Sequence, residues 1–460
     1  MAHHPKRRLA ALTGVVAVAL AATACSSSDS GSDSGSGDSS SGSIDCAPYE
    51  AFGDLNGKTV TVYTSIVAPE DQSHIESYKP FEECTGVTVK YEGSKEFEAQ
   101  LPVRVKGGNA PDIAYLPQPG LLKTMVETGK VVAAPPETAA NVDKWFGEDW
   151  KAYGTVDGTF YAAPLGANVK SFVWYSPSMF ADKGYEVPKT WDEMMALTDK
   201  IAADNTDGTT KPWCAGIESG DATGWPATDW MEDAMLRFAG PEKYDQWVNH
   251  EIPFNDQSVQ DAMAKVGAIL KNEKYVNGGL GNVKTIASTA FQDAGLPIMD
   301  GTCFMHRQAS FYAANWPEGT NVAEDGDVWA FYFPAQTADD HPVLGGGEFV
   351  AAFADRPEVK AFQTFLSSDT WANLKADTTP AAGGWLSANK GLDIEKLKTP
   401  IDKLSAEQLQ DPNAVFRFDG SDLMPGAVGA GTFWKGMTDW ITGASDKEVL
   451  DYIEQSWPSS

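Results

Sequence analysis

The stretch KTVTVYTSI (58–66) alternates β-branched and polar side chains in the manner of a half-buried strand. An amphipathic helical pattern follows in DQSHIESYKPFEEC (71–84), then a second strand, GVTVKYE (86–92). SKEFEAQLPVRVKGG (94–108) reads as a second helix, and PDIAYL (111–116) as a third strand. Strands that alternate with helices predict a parallel sheet joined by right-handed crossovers. Ligands of such sheets sit beyond the carboxyl ends of the strands, here 64–67, 92–96 and 116–118.

Before this unit, Lys6, Arg7 and Arg8 lead into an apolar run (9–24) that ends in small residues, the layout of a secretory signal peptide. The run is shorter than the roughly 20 residues a membrane-spanning helix needs. ATAC (22–25) resembles the lipobox of bacterial lipoproteins, which implies cleavage after Ala24 and lipidation of Cys25. Residues 26–45 are Ser, Gly or Asp apart from Ile44, a composition that cannot offset the entropy of ordering and reads as a tether.

The remaining body exceeds a single small core, so two domains are expected. The whole chain's 42% hydrophobic and 22% charged residues are ordinary for a folded protein. The 35 basic and 64 acidic residues give a formal charge of −29, which argues against nucleic acid or anionic lipid as partners of the folded surface. Setting Cys25 aside leaves Cys46, Cys84, Cys214 and Cys303, four thiols in an exported chain. Three pairings are open, and Cys46 with Cys84 and Cys214 with Cys303 is the favoured one. The scattered His74, His250, His306 and His341, with no CxxC or HxxxH, suggest no metal site, and no cofactor motif stands out. GDLNGKT (53–59) mimics a phosphate loop, but its glycines are one residue too close and a strand follows it. No GxSxG surrounds a serine of the body. A glycosidase carboxylate pair depends on a separation that sequence does not supply.

Capping-box spacings at Thr190/Glu193, Ser405/Gln408 and Ser445/Glu448 place three helix starts. A strand is expected in DVWAFYFPA (327–335), and a strand or extended turn and then a helix in GGGEFVAAFADRPEVKAFQTFLSS (345–368).

Taken in order, TGVTVKYE (85–92), GNAPDIAYL (108–116), GTFYAAPLGANVKSFVWYS (158–176), VPKTWDEM (187–194), MDGTCFMHRQASF (299–311), GGGEFVAAF (345–353) and LMPGAVGAGTFWKGMTDWITG (423–443) resemble the extracellular solute-binding proteins of bacterial ABC sugar importers, the family that includes maltose-binding protein. WCAGIESGDATGWPATDWMED (213–233) and NHEIPFND (249–256) look most like its α-glucoside-binding branch. The resemblance implies a two-lobed α/β fold of the type II periplasmic-binding-protein kind, hinged, with the sugar in the cleft. Its expected organisation is a signal peptide (1–24), a lipidated tether (25–45), lobe one (46–166 and 345–395) and lobe two (167–344 and 396–460). It further implies no catalysis, a monomer anchored by lipid to the outer face of the cell membrane, and a permease as partner. The rival readings are an exported glycoside hydrolase and a sugar-binding lipoprotein without a permease.

A neutral sugar offers hydroxyls for polar partners and C–H faces for aromatic rings. Among 15 tryptophans, Trp434 follows Met424 and Pro425 at the spacing where the family stacks a ring on the sugar. Trp225 and Trp385, each in a loop marked by glycine, are further candidates. Polar candidates are Glu96 and Gln118 after strands two and three, Asn168 in a crossover, and Gly347 with Glu348 after Gly346. Asp229 could bind hydroxyls, but capping of a helix over 229–238 is the stronger expectation. Arg307 stands in an apolar stretch and needs a partner, for which Asp229 or Glu348 would serve.

Overall fold

The computed structural model describes residues 44–276, 282–410 and 415–458. The leader, Cys25 and the tether as far as residue 43 lie outside the described residues.

The opening stretch forms β1 (Thr59–Thr64), which pairs in parallel with β2 (Thr88–Gly93) and β3 (Ile113–Leu116). The first helical pattern is realised as two short helices, Asp71–Ser77 and Lys79–Thr85, with Pro80 in the first turn of the second. Proline lacks an N–H and fits that position without loss. Next comes the hairpin β4 (Thr155–Val156) and β5 (Thr159–Phe160), then β6 (Ala162–Val169). The chain leaves this sheet at once: β7 (Phe172–Tyr175) belongs to another, with β8 (Lys211–Trp213), β9 (Cys303–Arg307) and β10 (Trp329–Tyr332) in the order β10-β7-β9-β8. It returns through β11 (Val343–Ala352), which runs antiparallel to β3 and β6, and β12 (Phe416–Phe418) joins β11 in parallel. The first sheet therefore runs β12-β11-β3-β1-β2, with β6 also on β11.

Each sheet has its own apolar core. Val62, Phe97, Leu116, Phe349 and Phe362 belong to the first; Trp174, Trp213, Met263, Met305 and Trp440 belong to the second. The result is an α/β protein in two halves. The chain from 396 onward serves both, since Leu397, Ala406 and Phe418 pack with the first core and Trp440 with the second. The physical reason lies in β12, where Phe416 and Phe418 lie 6.1 and 6.0 Å from the ring of Trp150.

Both expected disulfides form, Cys46–Cys84 and Cys214–Cys303. Thr190 caps the helix Trp191–Asp204 by accepting from Glu193 N at 3.2 Å. Ser445 and Glu448 form a complete capping box. The third expected start is overturned: Ser405 lies inside the helix Pro400–Gln410 and donates its hydroxyl to Ile401 O at 2.7 Å. Proline 400 opens that helix one turn earlier, and serine tolerates a helix interior by bonding back along it. No helix of the described residues is long and apolar enough to cross a membrane.

Candidate functional site

Between the two halves lies a cavity of about 170 Å3, or about 1150 Å3 of atom-free space when the open solvent at its mouth is included. Its aromatic wall is built from three tryptophans and two phenylalanines. Trp225 opens the helix Trp225–Ala234 and meets Phe291 edge-on at 5.0 Å and Phe311 at 6.0 Å. The preceding Gly224 has φ +115°, and a Cβ there would lie 2.1 Å from Trp434 O, so only glycine lets the two tryptophan-bearing segments touch. Trp434 begins the helix Trp434–Thr442, is 3% exposed, and donates its indole N–H to Ser421 Oγ at 3.4 Å. Trp385 comes from the opposite half, on a loop that turns through Gly383 and Gly384 at φ +78° and +98°. The carboxylate of Asp402 holds that loop by accepting from Gly384 N at 3.1 Å.

The polar wall carries Glu70, Glu98, Gln118, Asn168, Glu348 and Lys170. Gln118 donates its amide to Glu98 Oε1 at 3.3 Å, and Glu348 sits where the β6–β11 register shifts between Gly347 and Phe349. Several polar atoms on this wall have no protein partner: Glu98 Oε2, Gln118 Oε1, Asn168 Oδ1 and the indole nitrogen of Trp385. Buried polar atoms are almost always paired in folded proteins, so these atoms are left for water or a ligand to satisfy. Burial pushes the Glu98 carboxyl up to about 7. Burial, with the neighbouring Glu348 charge, does the same to Glu70.

Behind Trp225 lies a buried ion network. Lys170 follows β6 at the crossing between the halves; its ammonium donates to Asp229 Oδ1 at 3.1 Å and also to Asp419. Arg307 at the end of β9 donates to Asp229 Oδ2 at 3.1 Å and to Asp233 Oδ2 at 3.0 Å, and Arg237 pairs with Asp233. Burial disfavours the charge of Lys170, but Asp229 and Asp419 outweigh it and hold that charge firmly in place. Burial likewise opposes ionisation of Asp419, yet the charge and bond of Lys170 bring its carboxyl down to about 2. Carboxylate oxygens of Asp229, Glu232 and Asp419 lie within 4.8 Å of one another, a spacing a metal would accept. Lys170 already occupies the first and third, and Glu232 accepts from Gly420 N and Ser421 N at 3.1 and 3.0 Å.

Of the residues singled out from sequence, Gln118, Asn168, Trp225, Gly347, Glu348, Trp385 and Trp434 line this one cavity. Glu96, Asp229 and Arg307 do not. Glu96 is exposed at the start of the helix Phe97–Lys106 and shares a hydrogen bond with Asp221, while Glu98, two residues on, faces the cavity. The expectation that Asp229 caps a helix is overturned, because the helix begins at Trp225 and Asp229 is a fully buried ion partner inside it. Pro226 at the first turn was the signal for the earlier start. Arg307 takes Asp229, one of its two expected partners, and adds Asp233. Sequence reasoning missed Glu70, Glu98, Lys170, Asp419 and Asp422; only their proximity in the fold distinguishes them from surface charges.

The family described as bacterial extracellular solute-binding protein matches residues 63–373. The osmoprotective compounds-binding protein GgtB of Synechocystis sp. is 41% identical over 412 residues, covering 88% of this chain and 94% of its own. The alpha-glucosides-binding periplasmic protein AglE of Rhizobium meliloti is 39% identical over 422 residues, covering 88% of each chain. Among solved structures, the bacterial solute receptor AcbH superposes with a TM-score of 0.71 at 19% identity, over 87% of this chain and 97% of its own, a likeness of fold.

Proposed function

The chain belongs to the bacterial extracellular solute-binding protein family, and from that premise we propose that it is the membrane-tethered receptor of an ABC sugar importer, taking α-glucosides or short oligosaccharides. It is a binding protein and not an enzyme. The observation that carries the reading is the composition of the interlobe cavity: three indole rings beside orphaned polar atoms on Gln118, Asn168 and Glu98. Rings stack on the C–H faces of a pyranose while amides and carboxylates bond its hydroxyls. The name of the Rhizobium relative supports the α-glucoside class.

In this reading the sugar enters between open lobes and rests on Trp225 and Trp434. The lobes then close by bending at the crossings that hold Lys170 and Asp419. Closure brings Trp385 and Glu348 from the first half onto the ligand, and the closed form is what a permease reads. No bond of the sugar breaks. The lipid on Cys25 would keep the receptor on the outer face of the membrane.

Thermal unfolding of the purified body should be measured with maltose, trehalose, sucrose, palatinose and maltotriose. A ligand at about 100 times its Kd stabilises the folded state by ~2.7 kcal/mol. At least one of these sugars should raise Tm, and none should release glucose on incubation. A flat response to every sugar would overturn the reading, and released glucose would move it to the hydrolase.

A further inference from the structure

Glu96, which the sequence points to and the cavity leaves out, stands where the two halves touch at the cavity's rim. Asp221 N donates to Lys95 O there at 3.3 Å. Gly220 lies against the same residue: its φ is +60°, and an added Cβ would stand 2.6 Å from Lys95 O. Lys95 and Ser219 line the cavity from the two halves, so this contact closes part of its mouth.

Both lips are held by their own bonds. On the first, Glu96 N donates to Ser94 Oγ at 3.1 Å and the neighbouring Phe97 is fully buried. On the second, Gly220 N donates to Glu218 Oε1 at 2.7 Å, while Thr223 Oγ1 accepts from Ser219 N at 3.0 Å and donates to Gly220 O at 2.6 Å.

The backbone bond brings together two exposed carboxyls, since Glu96 and Asp221 share a hydrogen bond across the rim. Two carboxyls make such a bond only while one of them holds a proton; with both ionised they repel. Around them, Glu218 is bonded to Gly220 N, Glu98 feels Asp221 as a like charge, and Lys95 lines the cavity. The bond to Asp221, and then its charge, holds the Glu96 carboxyl above the usual carboxylate range while the mouth is closed. Opening removes that partner. Closure therefore takes up protons, and the closed form gains at low pH and loses that gain as pH rises beyond the ordinary carboxylate range.

We propose that Glu96 and Asp221 form a proton-dependent latch across the mouth of the cleft, favouring the closed, ligand-holding form in acid and easing its opening at neutral pH. The inference rests on the receptor reading for the closure of the lobes and leaves the identity of the sugar open. Neither residue lines the cavity, so the latch sets affinity through the closure equilibrium.

Glu96→Gln offers Asp221 a donor at every pH and so keeps the latch on. Variant and wild type should be compared at pH 7.5 and 5.0 by titration calorimetry with maltose, trehalose and sucrose. Hydrogen exchange of the segment carrying the Asp221 amide, in the sugar-free protein, gives a second readout, because a distant substitution leaves its intrinsic rate unchanged. Glu70 and Glu98, both raised to about 7, are common to the two proteins and cancel in the ratio. At pH 7.5 the variant should bind sugar about two- to five-fold more tightly and protect that amide by a similar factor, the range expected of an exposed charge pair. Both ratios should move toward one at pH 5.0, and Asp221→Asn should match Glu96→Gln in calorimetry. Wild-type affinity and protection in the variants at pH 7.5, looser binding in them, or ratios that do not change with pH would overturn the latch. If no sugar binds, the receptor reading falls and the exchange ratio alone decides the latch.

Discussion

Lys170 and Asp229 meet in a 3.1 Å ion pair from which water is almost wholly excluded, one residue at the crossing between the halves and the other about one turn along the helix that Trp225 opens. The ammonium also lies 5.3 Å from the centre of that ring. A single cation thus joins both halves to an aromatic wall of the cavity. Removing one member of a buried pair leaves the other charge uncompensated, at a cost of about 3–5 kcal/mol. Lys170→Met should therefore lower the unfolding free energy by about that amount in urea titration. A loss below ~1 kcal/mol would show that the network does not anchor the fold.

The two tryptophans of the second half should respond differently to truncation. Trp225 is half-buried and presents surface to the cavity, whereas Trp434 is almost fully enclosed. Trp225→Ala should weaken sugar binding about ten-fold or more with a modest change in Tm. Trp434→Ala should weaken binding and also cost about 3–5 kcal/mol of stability, the usual penalty for emptying a buried aromatic site. Titration calorimetry and urea unfolding on both variants separate the effects; unchanged affinity in either removes that ring from the site.

The strands and most of the aromatic wall were legible in the sequence because they depend on local pattern. Alternation marks β1, and glycine-bounded loops mark Trp225 and Trp385. What escaped depends on distance along the chain. Lys170 and Asp419 are 249 residues apart, and nothing local distinguishes either from a surface charge. Glu96 and Glu98 differ by about half a helical turn, enough to send one to solvent and the other to the cavity, and a boundary uncertain by two residues cannot choose between them. Ser405 fits the capping pattern, yet the tertiary packing of Ile401 and Ala406 extends the helix through it.

Stability should depend on pH through Asp402, the carboxylate that holds the Trp385 loop. Burial pushes its carboxyl up to about 7, against an ordinary value of 3.8, despite the N–H bond from Gly384. A carboxyl whose value is raised on folding stabilises the folded state at low pH, and that contribution is lost as pH rises from about 4 to about 7. Asp402→Asn keeps an acceptor for Gly384 N and removes the titration. Relative to wild type, the variant should gain stability between pH 4.5 and 7.5, with an upper bound of ~4 kcal/mol. Parallel unfolding curves at both pH values would count against this burden on Asp402.

The Cys214–Cys303 bridge spans 89 residues and ties β8 to β9, its neighbour in the second sheet. Closing a loop of that length removes enough unfolded-state entropy to contribute about 4 kcal/mol in the loop-entropy description. Replacing both cysteines by alanine should lower the urea midpoint accordingly, while the folded fraction still binds sugar, since neither cysteine lines the cavity. Loss of sugar binding in the fully folded variant would mean that the bridge shapes the site.

Gly224 connects fold and function most directly. Its φ of +115° and the 2.1 Å approach of a built Cβ to Trp434 O leave no room for a side chain, and the obstacle is backbone that cannot rotate away. Gly224→Ala must either strain the turn or push the helix Trp225–Ala234 away from the helix Trp434–Thr442. Strain and overpacking together should cost at least about 2 kcal/mol. Because each of the two helices carries a ring that lines the cavity, the variant should also bind sugar less tightly under conditions where circular dichroism shows it folded. Wild-type affinity in a folded Gly224→Ala protein would mean that the spacing of Trp225 and Trp434 does not set the grip on the ligand, and that the stacking surface lies with Trp385 instead.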